Sequence, residues 1–159
     1  VVLPPAAPDW RPRAKEIAAL EAALGLRLTP RSAVATDGLI LRTASAPGRC
    51  DDAALARLGA VAELIVDAEL GRTKITDAGL KTLAAFANLR GLDLTRTAGT
   101  SEGLAALARL EKLEALNLTD TVVDREGVSR LKALPALRRV WLFGTPAASA
   151  GAEWPAPAQ

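Results

Sequence analysis

The sequence predicts an α/β fold: a right-handed solenoid with about five strands in a parallel sheet, helices on the opposite side and a helical cap at the N-terminus. Three observations carry this expectation. Gly79, Gly103 and Gly127 recur every 24 residues, each followed by an aliphatic side chain (Leu80, Leu104, Val128). Short alternating segments recur at the same interval, Ala68-x-Leu70, Leu92-x-Leu94, Leu116-x-Leu118 and Val140-x-Leu142, each reaching a threonine three residues on (Thr73, Thr97, Thr121, Thr145). Between them runs a Leu-x-x-Leu-x-x-Leu pattern, as at Leu104, Leu107, Leu110 and Leu113. A fixed period of this length marks supersecondary units that bury their apolar faces only against one another.

Taken in order, residues 1–12 carry Pro4, Pro5, Pro8 and Pro12 and read as an extended or disordered linker, with Trp10 expected to pack back onto the neighbouring domain. Residues 13–36 read as the N-terminal helical cap, because Ile17, Leu20, Ala23 and Leu24 recur at helical spacing and Gly25 is placed to end the helix. The repeats span residues 37–146. Leu39-Ile40-Leu41 reads as a strand, and Cys50-Asp51-Asp52-Ala53-Ala54-Leu55 matches Ile75-Thr76-Asp77-Ala78-Gly79-Leu80 position for position, giving an irregular first unit. Residues 147–159 lose the periodicity and read as a tail in which Trp154 is the one candidate anchor.

Each unit has a physical reason to fold this way. The alternating segment suits a strand with one buried face, and the three-residue spacing suits a helix or 3₁₀-like return with one buried stripe. Asp51, Thr76, Thr100 and Asp124 stand just before the helical stretch, where a side-chain oxygen accepts an otherwise unpaired backbone N–H. Asp52, Asp77, Glu102 and Glu126 fall in the first turn, where negative charge complements the helix dipole. The recurrent glycine is expected to let the helix start pack closely, although Ala54 fills its place in the first unit.

Composition removes several function classes. Half of the 159 residues are hydrophobic but only 3% are aromatic, so the core is Leu, Ala and Val. The net charge of +2, from 20 basic and 18 acidic residues, is too balanced to suggest nucleic acid. One cysteine and no histidine leave little basis for a metal or haem centre, and no cofactor is expected. No apolar run approaches the roughly 18 residues of a membrane span. Val1 in place of Met admits a removed leader or an upstream domain.

Leu89, Leu92, Leu94, Thr97 and Leu113, Leu116, Leu118, Thr121, together with Thr76-Asp77-Ala78-Gly79-Leu80, resemble a leucine-rich repeat protein. The resemblance is to the bacterial variety with Thr-Asp-x-Gly-Leu units, similar to the ribonuclease-inhibitor and cysteine-containing subclasses. It covers about residues 37–146; Ala68 and the Ala98-Gly99-Thr100-Ser101-Glu102 stretch depart from the pattern. It implies a sheet on the concave face, helices on the convex face, and recognition of a protein partner without catalysis.

The same resemblance points the residues between the strand leucines outward. That aligns Glu69, Asp93, Asn117 and Trp141 in one column and Asp67, Gly91, Ala115 and Arg139 in its neighbour, with rows about 4.8 Å apart. Asp67, Glu69 and Asp93 form an expected acidic patch, and Arg139, Trp141 and Phe143 an aromatic–cationic one. The expected partner site is Glu69, Asp93, Asn117, Arg139, Trp141 and Phe143, since exposed Trp and Arg are enriched at binding hot spots. The other reading of that end is packing beneath the tail, with Trp154 as a cap. Glu69 and Asp93 also admit a glycosidase-like carboxylate pair, but no cleft, histidine or tyrosine supports it. Cys50 aligns with the core positions Ile75 and Val123 and reads as a buried thiol rather than a nucleophile. The basic residues Lys81, Arg109, Lys112, Arg130 and Lys132 read as a solvated helical face. A non-catalytic protein-binding module is therefore the expected function. The alternative is a structural or accessory repeat domain of a larger bacterial protein, cell-envelope proteins included, whose activity lies elsewhere.

Overall fold

The structure, a computed structural model, describes residues 7–43, 45–152 and 154. The expectation for Pro4 and Pro5 lies outside these residues. Residues 11–13 are not extended: Arg11–Arg13 form a 3₁₀ turn with Pro12 in its first positions. Pro12 is already set near the φ of such a turn, and Asp9 Oδ1 accepts the Arg11 N–H at 2.9 Å to start it. Trp10 is half-buried against the core.

Helix α1 (Ala14–Leu24) buries Ile17 and Leu24 and ends at Gly25, which takes the left-handed conformation with φ 67°. Strand β1 (Arg27–Pro30) follows, then β2 (Leu39–Arg42). The chain then alternates: α2 (Asp52–Leu58), β3 (Ile65–Glu69), α3 (Asp77–Leu83), β4 (Gly91–Asp93), α4 (Ser101–Leu104), β5 (Ala115–Asn117), α5 (Arg125–Leu131), β6 (Arg139–Trp141) and α6 (Pro146–Ser149). Several returns to the sheet are 3₁₀ rather than α, as at Gly59–Leu64 and Ala105–Arg109.

The six strands form one sheet in sequence order, β1-β2-β3-β4-β5-β6. This corrects the expected five: β1 is a sixth strand, and it pairs antiparallel with β2 while all later pairs are parallel. Four residues without a repeat partner leave no periodic signal. Once Leu28 is buried on one side, Pro30, which has no N–H to donate, ends the strand.

From β3 onward the register equals the sequence period: Ala68 pairs with Leu92, Leu92 with Leu116 and Leu116 with Val140. Ala68, Leu92 and Leu116 join helix residues Leu80, Leu83, Leu104 and Leu131 in one continuous core. Each full burial of such a side chain is worth about 1.5–3 kcal/mol relative to exposure.

Two polar patterns recur from unit to unit, the first closing the turn within each unit and the second joining successive units. Beyond each of β3 to β6 a buried threonine turns its hydroxyl back on the chain, with Thr73, Thr97, Thr121 and Thr145 Oγ1 donating to the carbonyls of Leu70, Leu94, Leu118 and Leu142 at 2.6, 2.8, 2.7 and 2.6 Å. The residue before each threonine is left-handed: Arg72, Arg96 and Asp120 at φ 63°, 54° and 54°, and Gly144 at 71°. The second ladder runs along the helix starts. Asp52 accepts both the N–H and the hydroxyl of Thr76, at 2.9 and 2.6 Å. Asp77 does the same for Thr100, at 2.7 Å each. Ser101 takes the acid's place at the next step, donating to Asp124 Oδ1 at 2.8 Å and accepting the Asp124 N–H at 3.0 Å.

This ladder explains the glycines. A Cβ at Gly79 would stand 2.3 Å from Asp52 Oδ1, at Gly103 2.2 Å from Asp77 Oδ1, and at Gly127 2.6 Å from Ser101 Oγ. The missing side chain makes room for the preceding unit's polar group. Ala54 takes the glycine's place in the first unit, where the helix packed beside α2 is α1, outside the repeat.

Candidate functional site

The solvent face of the sheet carries the predicted columns. Glu69, Asp93, Asn117 and Trp141 lie side by side across β3, β4, β5 and β6. Asp67, Gly91, Ala115 and Arg139 form the adjacent column. Between them lies a depression of about 300 Å³. Gly91 and Ala115 supply little bulk at its centre, while Asp67, Glu69, Asp93, Asn117 and Trp141 wall it. Of the six expected partner-site residues, Arg139 and Phe143 lie outside this lining. Phe143 is 80% exposed and Trp141 47%. The Arg139 guanidinium carbon lies 5.9 Å from the Trp141 ring centroid, within reach of a cation–π contact. Trp154 packs against the core, yet among the described residues Trp141 and Phe143 keep this exposure.

The acidic patch is not what its residue types suggest. The register extends one strand further back, placing Arg42 beside Glu69. Arg42 Nη1 donates to both Glu69 carboxylate oxygens at 2.9 Å, and Nε donates to Thr29 Oγ1 at 3.1 Å. Asp67 is paired likewise, its Oδ2 lying 3.1 Å from Arg31 Nε. Both pairs are partly solvated, so each contributes at most about 1 kcal/mol to stability. Their larger effect is to neutralise two of three face carboxylates. Asp93 has no basic partner within ion-pair distance among the described residues; its Oδ1 accepts the Thr95 N–H at 2.9 Å and the Thr95 hydroxyl at 2.6 Å. Asn117 repeats the motif one strand on, its Oδ1 accepting the Thr119 N–H at 3.0 Å. The Glu69 and Asp93 carboxylates, weighed as a catalytic pair, are thus held by Arg42 and Thr95.

Sequence reasoning missed Arg31 and Arg42. Arg42 follows Leu39-Ile40-Leu41 directly, so continuing the strand columns backward finds it. A register irregularity between Leu39 and Ile40 obscures that step. Arg31 carries no periodic signal at all, because it follows the antiparallel strand.

Cys50 is fully buried, and burial, reinforced by the charges of Asp51 and Asp52, pushes its thiol up to about 12. The thiolate is the reactive form, so this sulfur stays inert at neutral pH. No group of three metal-ligating side chains occurs among the described residues. No helix is long and apolar enough to cross a membrane among them. A scan against models of protein families matches none, and a search of curated proteins matches none either.

Proposed function

We propose that the chain is a leucine-rich-repeat solenoid serving as a non-catalytic protein-binding module, with the solvent face of the sheet as its docking surface. Sequential strand order, a register equal to the 24-residue sequence period and the threonine ladder support the repeat reading. The observation that carries the functional reading is the face depression itself. A half-exposed Trp141 stands at one end of it, and Asp93, the face carboxylate left without a cation among the described residues, lines its middle on β4. Trp and Arg anchors beside a desolvatable hollow are the usual composition of an interface hot spot. A partner that fits presents an apolar or aromatic group against Trp141 and a donor, neutral or cationic, toward Asp93 and Asn117.

The test is capture of binding partners from the native organism on immobilised protein. Trp141→Ala and Arg139→Ala should each reduce capture at least tenfold while shifting the melting temperature by only a few degrees, since both side chains are exposed. Capture unchanged in both variants overturns the assignment of this face.

A further inference from the structure

Among the described residues, the edge strand β6 has one side of its backbone committed and the other open. The Arg139 N–H donates to Glu114, and the Trp141 and Phe143 carbonyls accept from Leu118 and Asp120, so these three residues face β5. Alternation turns Val140 and Leu142 the other way. The Leu142 carbonyl is taken by the Thr145 N–H and hydroxyl. That leaves the Val140 N–H, the Val140 carbonyl and the Leu142 N–H directed past the sheet, and among the described residues no strand pairs there. The opposite edge is blunted, because β1 ends in Pro30. β6 carries no proline and shows exposed Trp141 with Phe143 just beyond it.

We infer that this edge pairs with β6 of a second copy of the chain, antiparallel about a two-fold axis at Val140, joining two sheets into one. The order of side chains selects this occupant and this direction. In the antiparallel register Val140 faces its own copy and exchanges both backbone hydrogen bonds with it. Leu142 N–H meets the carbonyl of Arg138 from the copy, giving four backbone bonds in all. Arg139 then stands opposite Trp141 of the copy, and Trp141 opposite its Arg139. This is the non-hydrogen-bonded pair, in which side chains approach most closely. Each guanidinium thus gains a second indole, extending the contact already present within one chain. A parallel addition would instead set like charges, Arg139 beside Arg139, and leave a fresh open edge. The two-fold arrangement sets each Arg139 against an indole instead of a like charge, and leaves no new edge.

The contact is one short strand per copy, well below a standard interface, so the dimer is weak and concentration-dependent. It goes beyond the face reading above and stands without it. Sedimentation of the wild-type chain from about 10 µM to about 1 mM should show the mean mass rising toward twice the monomer. Val140→Pro removes an N–H that points outward, where proline is tolerated, and puts an apolar ring where Val140 packs against the core; it should stay monomeric across that range with a melt lowered by no more than a few degrees, and should keep partner capture. A wild-type chain that stays monomeric at the highest concentration overturns the inference, as does a folded Val140→Pro that still dimerises. Should Val140→Pro fail to fold, the paired variant Arg139→Cys/Trp141→Cys decides. Opposed Cα atoms about 4.5 Å apart lie within disulfide range, so mild oxidation should cross-link the paired variant and neither single variant. The buried Cys50 does not compete. No cross-link in the paired variant, or an equal one in a single variant, overturns it.

Discussion

At the scale of single residues, the informative side chains are those that touch the neighbouring unit as well as their own helix. Asp124 is one. Its carboxylate accepts the Gly127 N–H at 2.9 Å and the Ser101 hydroxyl at 2.8 Å. The backbone bond first, and the hydroxyl second, hold its carboxyl below the usual aspartate range. The sign follows from that depression. The ionised form is favoured by folding, so the contribution is present above the unfolded aspartate value of about 3.9 and is lost as pH falls through the lower folded value. Asp124→Asn should therefore lower the melting temperature at pH 7, and the difference from wild type should shrink in melts below about pH 4. A constant difference across pH would remove the carboxylate from the explanation. Cys50 illustrates the opposite use of alignment: its equivalence to Ile75 and Val123 is legible without coordinates, and all three are fully buried.

At the scale of elements, the helix starts form one coupled system. The acids Asp52 and Asp77 look in sequence like residues complementing a helix dipole. In the structure each carboxylate binds the capping threonine of the next unit, and the next glycine leaves the space it occupies. Gly103→Ala should cost about 1–3 kcal/mol by overpacking against Asp77 and Leu80. Asp77→Ala should cost about 1–2 kcal/mol through the bonds lost by Thr100. The two should not add: removing the carboxylate relieves much of the clash, so the double variant should be more stable than the sum of the single losses by more than about 0.5 kcal/mol in denaturant titrations. Simple additivity would mean that the glycine serves the backbone instead. This coupling was half legible. The glycine period stands out in the sequence, but its partner sits on the preceding unit, and only the lateral stacking of helix starts brings the two together.

At the scale of the molecule, one core runs from Ile17 to Leu142 and Ala147 without a break, while contacts between elements are mostly with their neighbours in order. Leu107→Ala, at a fully buried position in the middle, should cost about 2–5 kcal/mol and still leave a single unfolding transition by circular dichroism. Two separate transitions would show that the neighbouring units fold independently.

The sequence by itself determined the alternation of strands and helical returns from residue 37 onward, and it determined which residues share a column on the sheet. Both follow from one cause. In a parallel sheet whose strand-to-strand spacing in sequence equals its register, the period is the neighbour list, so Glu69, Asp93, Asn117 and Trp141 could be aligned by counting. Tertiary structure alone decided which of those groups are free to meet something else. The cations that occupy Asp67 and Glu69 come from Arg31 and Arg42, on or beside two strands that precede the regular register. Charge pairing depends on approach in space, and no period encodes the approach of a strand that does not repeat.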